Sequence, residues 1–185
     1  MTKNKLNIIG ISGKAGTGKD YIAQKYFVQQ YSYKTFSFAW HFKVWLIGKG
    51  VATFDEVFAT KPPAVRKMLQ LEGTEYGRDV YGPDVWCNTA LTWMQTLADN
   101  GYGTNYVIAD CRFPNEAAFI HSRGGKVIRI HAPRRAENNS LTEEARQHIS
   151  ETALDEYTKF DYIVNNNYDD SRLLDADIKS IMDEL

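Results

Sequence analysis

LNIIGISGKAGTGKD, residues 6–20, sets the reading of everything around it. Residues 6–12 form a short apolar run bounded by glycine, the pattern of a parallel strand covered on both faces. Gly13, Lys14, Ala15, Gly16, Thr17, Gly18 and Lys19 follow as G-x-x-x-x-G-K. Residues 20–31 then repeat apolar side chains at Ile22, Ala23, Tyr26 and Phe27, the spacing of a helix that lays one face on a sheet. In this setting of strand, loop and helix, the glycines let the backbone wrap a phosphate. The helix amino terminus points N–H groups and a positive dipole end at it, and Lys19 reaches the β and γ phosphates. A glycine-rich turn that merely starts a helix would require neither the lysine nor the flanking elements, so phosphate binding is the expected work of the loop. Asp20 stands where Ser or Thr usually offers a hydroxyl to magnesium. A carboxylate there can hold the metal, directly or through water, or simply favour the first helical turn through the dipole; both readings stay open.

Working outward, residues 35–38 alternate as a second strand, and Phe38, Phe42, Trp45 and Leu46 recur at helical spacing. Residues 48–105 hold no convincing strand. Pro62 and Pro63 open a helix expected to run through Leu71 and stop near Gly73. Asp84 is placed to cap the next helix, whose stripe is Ala90, Trp93, Met94, Leu97 and Ala98, with a stop at Asn100 and Gly101. Further strands are expected at 106–109, 127–130 and 162–164, with a helix at 114–122 between the first two. Ser140 to Glu143 fits a capping box, and Ser171 is placed to cap a last helix facing the core with Leu174, Ile178, Ile181, Met182 and Leu185. Strands alternating with helices predict an α/β fold, a three-layer parallel sheet of five strands joined by right-handed crossovers. One domain spans 1–185, with a helical insertion at about 48–104 and a lid-like connection at about 133–150.

Composition bounds the function. With 22 Lys and Arg against 23 Asp and Glu, the formal charge is −1, so no global positive field holds a polyanion and stable nucleic-acid binding is not expected. At 43% hydrophobic residues, the 185-residue chain can bury a sizeable core. Cys87 and Cys111 are too few for a disulfide framework or a four-ligand zinc site, which suits a reducing compartment. No run approaches the roughly 20 apolar residues that span a bilayer, and no signal-peptide pattern opens the chain, so a cytoplasmic protein without a membrane partner is expected.

Asp110 ends the third strand at its carboxyl edge, where ligands of open α/β sheets bind, and Arg112 is two residues on. Asp110 is therefore expected to approach a metal or the phosphoryl acceptor, against the plainer reading of an aspartate that caps the turn following it. Arg66 and Lys67, Arg78, and Arg134 with Arg135 are separated cations able to neutralise phosphate charge. Tyr76, Tyr81 and Trp86 offer stacking faces, although aromatics in such numbers usually serve a core. His148 and Glu151 read as members of a surface helix.

The chain resembles the nucleoside monophosphate kinases, and more narrowly the bacteriophage-type deoxynucleoside monophosphate kinases. The resemblance rests on ISGKAGTGKD at 11–20, FSFAWHFK at 36–43, RKMLQLEGTEYGRDVYGPDVW at 66–86, VIADCRFPNEA at 107–117, HISE at 148–151 and FDYIVNNN at 160–167. It implies a P-loop kinase that uses ATP, with Mg2+, to convert a dNMP to a dNDP, in the host cytoplasm where phage-encoded. It also implies that Gly13 to Asp20 bind ATP and that Lys43, Arg66, Gln70, Arg78, Trp86 and Arg112 line the deoxynucleotide pocket. Arg134 and Arg135 would close over the phosphates as lid residues, Arg135 on the ATP side. Lys19, Arg112 and Arg134 would stabilise charge in transfer, with Asp20 and Asp110 as metal-side carboxylates. The G-K-D loop is also similar to that of animal-type phosphomevalonate kinases, which keeps another phosphorylated acceptor open. An ATP-dependent module gripping single-stranded nucleic acid is the alternative from a different class. A monomer and a homodimer are both compatible with the sequence.

Overall fold

A computed structural model describes residues 4–137, 141–167 and 171–185. Five parallel strands carry the fold: β1 (Asn7–Ser12), β2 (Lys34–Phe36), β3 (Asn105–Ile108), β4 (Lys126–His131) and β5 (Tyr162–Asn165), in the order β2-β3-β1-β4-β5. β1 lies at the centre, with Ile9 beside Val107 of β3 and Gly10 beside Val127 of β4. A parallel pair cannot be closed by a hairpin, so every return passes through a helical crossover.

Alternation along the strands divides the core between the two faces of the sheet. Ile8, Tyr106, Ile108 and Val127 pack on one face against α5 (Val85–Asp99) and α6 (Pro114–His121). Ile9, Ile11, Val107 and Ile128 pack on the other against α1 (Lys19–Ile22), its wider π-type continuation (Ala23–Val28) and α10 (Ser171–Glu184). Ile22 and Phe27 are completely buried there, each worth about 1.5–3 kcal/mol relative to exposure.

Between β2 and β3, α2 (Trp40–Gly48), α3 (Pro63–Leu71), the short α4 (Asp79–Tyr81) and α5 are joined through π-type turns at Glu56–Thr60 and Glu72–Arg78. Phe42, Leu46, Ala52, Val57 and Val65 form a small core of their own, and no strand lies among residues 48–104. After β4, among the described residues, come the short helices α7 (Pro133–Glu137), α8 (Glu143–Gln147) and α9 (Ile149–Thr152).

Several local expectations are corrected. The α3 winding passes through Gly73 as far as Arg78, because the wider turn accommodates Gly77 against the Trp86 ring, where a Cβ would come within 2.3 Å. Asp84 begins α5 without a side-chain cap and accepts from Asn115 instead, at 2.9 Å. Thr142, whose hydroxyl accepts from the Ala145 N–H at 3.2 Å, caps α8; Ser140 lies outside the described residues, as does the side chain of Ser171. Trp45 and Trp93 are exposed because α2 and α5 turn other positions inward, and Leu185 is exposed just past the end of α10.

Candidate active site

Every strand delivers part of the site from its carboxyl end, where ligands of open parallel sheets bind. β1 leads into the glycine loop and β2 into Ser37. β3 leads into Asp110 and Arg112, β4 into residues 132–137, and β5 into Asn166. The loop curls around the carbonyl of Lys14, which accepts from Thr17 Oγ1 at 2.8 Å and from Lys19 Nζ at 2.7 Å. Gly18 begins α1 in the left-handed region with φ 90°, and a Cβ there would fall 2.6 Å from the Asn166 amide nitrogen. That amide donates to the Thr17 carbonyl at 2.8 Å and clamps the loop from β5.

Lys19 is buried, and the loss of water around its ammonium, with Arg112 adding like-charge repulsion, pushes its pKa down to about 7. Glu151 is buried beside it, with one carboxylate oxygen accepting from the Ala15 N–H at 3.1 Å and the other bonded to the Arg112 guanidinium. Burial opposes ionisation of Glu151, but Arg112, Lys19 and the Ala15 N–H together hold the carboxyl below its usual range. Lys14 Nζ reaches the Glu151 carbonyl at 2.7 Å and pairs with Asp155.

A cavity of about 500 Å³ opens between this loop and the helical stretch, and Ala15, Gly16, Lys19, Asp20, Lys43, Arg66, Gln70, Arg78, Trp86, Asp110 and Arg112 all line it. The sequence therefore names residues that do converge. Their side chains are not all offered to the space, however. Gln70 donates to the Ala145 carbonyl at 3.3 Å. Arg78 is buried in an ion pair with Glu116, donates to the Pro83 carbonyl at 2.8 Å, and stacks over the Phe113 ring at 3.8 Å. Burial pushes the Glu116 carboxyl up to about 7 against the pull of Arg78. Trp86 is fixed by an indole N–H donated to the Gly73 carbonyl at 2.6 Å, leaving the ring as a wall.

Asp110 caps a segment other than the turn that follows it: its carboxylate accepts from the Ser37 hydroxyl, from the Phe38 N–H at 2.9 Å and from the Ala39 N–H at 3.3 Å. It thereby holds the entrance to α2, and Ser37 in turn accepts from Lys43 Nζ at 2.9 Å. Lys43 is itself buried, which lowers its pKa. Arg134 and Arg135 lie exposed on α7 and line neither this cavity nor the second one, of about 550 Å³, on the other side of the loop. Arg129 and Arg146 line the second cavity in their place. The chain direction of α7 points its two arginines outward, a fact that their sequence neighbours do not disclose.

Lys61, Arg129, Arg146 and Asn166 are site residues the sequence did not single out, and Glu151 is one it named but read as a surface residue. Lys61 ends a π-type turn in the left-handed region, φ 47°, and its ammonium is 3.0 Å from Asp20. Glu151, expected on a surface helix, is buried because α9 packs against the loop. The HISE stretch was its available signal.

Among the described residues, no three His, Cys, Asp or Glu side chains gather as a metal cage. Magnesium carried by a nucleotide needs only one or two protein carboxylates, with phosphates and water completing its octahedron. Asp20, largely exposed at the cavity wall, meets that requirement; Asp110, with three donors on its two oxygens, does so less well.

The model of the deoxynucleotide monophosphate kinase family matches residues 49–175. The chain belongs to the deoxynucleotide monophosphate kinase family. This match starts beyond the glycine loop, so the family and the phosphate loop are two separate indications of one phosphotransferase. A protein of Acanthamoeba polyphaga mimivirus, provisionally described as a deoxynucleotide monophosphate kinase, is 26% identical over 86% of this chain and 88% of its own length. The fold is shared with TT1252 from Thermus thermophilus, at TM-score 0.60 and 15% identity over 98% of this chain and 99% of that one. As a member of a kinase family with a phosphate loop, the protein is a P-loop phosphotransferase. No described helix is long and apolar enough to cross a membrane.

Proposed function

We propose that this kinase transfers the γ-phosphoryl group of ATP to the phosphate of a deoxynucleoside monophosphate, giving ADP and a dNDP. The observation that carries this reading is the single cavity in which the glycine loop faces Lys43, Arg66 and Arg112 across an aromatic floor that includes Trp86. A donor and a phosphorylated acceptor both bring negative charge, and cations on opposite walls can neutralise both. Residues 48–104 supply the acceptor side, and 133–150 close over the phosphates.

The acceptor is a phosphate monoester whose second pKa is about 6, so its oxygen is ionised near pH 7 and no strong base is required. That oxygen attacks the γ phosphorus, and the bond to the β–γ bridging oxygen breaks with departure of ADP. Lys19 binds the β and γ oxygens once it leaves the Lys14 carbonyl, and Arg112 stabilises charge as it moves. Asp20 would hold magnesium, which would neutralise phosphate charge when bound. Lys43 and Arg66 fix the acceptor phosphate, while the Arg78–Glu116 pair keeps Phe113 and the cavity wall in place.

The test is ADP release with ATP and magnesium against a panel of dNMPs, NMPs and phosphomevalonate, with Lys19→Ala as control. Turnover on dNMPs that vanishes in the variant is expected. Turnover on phosphomevalonate alone, or salt-sensitive binding of single-stranded nucleic acid without turnover, would replace the reading.

A further inference from the structure

Glu151 carries negative charge into a site built for phosphates, and that is the feature most in need of explanation. Its side chain is 3% exposed, and taking such a carboxylate out of water costs several kcal/mol that only its partners offset. It also repels any phosphate brought near. The partners are specific: one oxygen takes the Ala15 N–H of the loop, the other takes Arg112, and the adjoining Ser150 carbonyl takes the same arginine nitrogen at 3.1 Å. Lys14 holds the Glu151 carbonyl from the loop side, and His148 Nδ1 accepts from the Ser150 N–H at 3.2 Å, closing the first turn of α9. The arginine is 27% exposed, so without this carboxylate its guanidinium would have room to swing.

We propose that Glu151 is a positioning residue for phosphoryl transfer that acts through Arg112. One side chain registers the arginine from β3 against the donor loop from β1, so the distance between the two charge-stabilising elements is set by α9. The inference rests on the kinase reading above. Misplacing a group that acts at the transferring phosphoryl lowers kcat, whereas nucleotide affinity, supplied by the rest of the loop, stays.

Glu151→Gln keeps the size and one acceptor oxygen but removes the charge. The expected result is a kcat lowered by about 10²-fold, the effect of an ångström-scale misplacement, with ATP affinity unchanged by calorimetry. In an Arg112→Ala background the same change should cost nothing further, because the residue it positions is gone. The proposal is overturned by a Glu151→Gln enzyme with parental kcat, by an equal fractional loss in the Arg112→Ala background, or by tighter ATP binding, which would make Glu151 a mere competitor for the phosphate. A parent enzyme silent on every acceptor removes the kinase reading and this inference together, whereas an active parent with an indifferent variant removes the inference alone. If Glu151→Gln fails to fold, Arg112→Lys, which keeps the charge and loses the planar fork, must lower kcat with ATP binding intact; unchanged kcat overturns the proposal.

Discussion

Two Arg–Glu pairs line the same cavity and are enclosed to different degrees. Arg78 and Glu116 are 8% and 4% exposed, and the arginine is further held by the Pro83 carbonyl, by Asn115 at 3.2 Å and by the Phe113 ring. Glu116 also accepts from the backbone of Arg112 at 2.7 Å and of Phe113 at 3.0 Å. Arg112 and Glu151 are 27% and 3% exposed, so this arginine keeps a face toward the cavity while its carboxylate is sealed against the loop. The same residue types are thus enclosed on every side in one pair, while in the other the arginine keeps an open face that the proposed function assigns to a phosphate. A sequence motif cannot separate these cases, because both arginines lie in stretches that resemble one family.

The largest expected effect sharpens the ligand-facing side. Lys19→Ala should lower turnover by about 10³-fold, the upper range for removing one charge-stabilising donor. Thermal unfolding should show no loss of stability, because burial disfavours the ammonium whose pKa lies near 7. A variant that loses activity only by unfolding would break the distinction. Next, Arg78→Ala should cost about 3–5 kcal/mol in urea unfolding, because it leaves Glu116 buried without its partner. Arg112→Ala should cost less stability and more turnover; the reverse ranking would exchange the roles of the two pairs.

A smaller effect concerns pH. Burial lowers the Lys19 pKa to about 7 and polyphosphate favours its charged form, so ATP binding takes up a proton above pH 7. Affinity should therefore weaken as pH rises from 7 to 9, by at most about tenfold per unit for one proton. Calorimetry in buffers of different ionisation enthalpy counts that proton. For folding the sign is opposite: between the folded value of about 7 and the ordinary 10.5, the unfolded chain binds more protons, so the unfavourable contribution of Lys19 fades as pH climbs through that window. Smallest is the carboxylate contrast. Asp20→Ala should raise the magnesium concentration needed for half-maximal rate, whereas Asp110→Asn should leave it unchanged and lower the melting temperature.

The convergence of Lys43, Arg66 and Arg112 was implied by the family resemblance, whereas the residues alone were enough for the five parallel strands and the phosphate loop. Those signals are local: a strand buried on both faces is apolar throughout, and a phosphate loop has a fixed spacing of glycine and lysine. Tertiary structure alone decided which polar groups each side chain answers. Asp110 looks in sequence like a metal-side carboxylate, but three donors brought from 37–39 by strand pairing claim it. Arg134 and Arg135 look like cavity residues until α7 turns them outward, and Glu151 looks like a surface residue until α9 lands on the loop. Hydrogen-bond partners and burial depend on segments more than a hundred residues apart in the chain, as with Ala15 and Glu151, and only the fold brings them together.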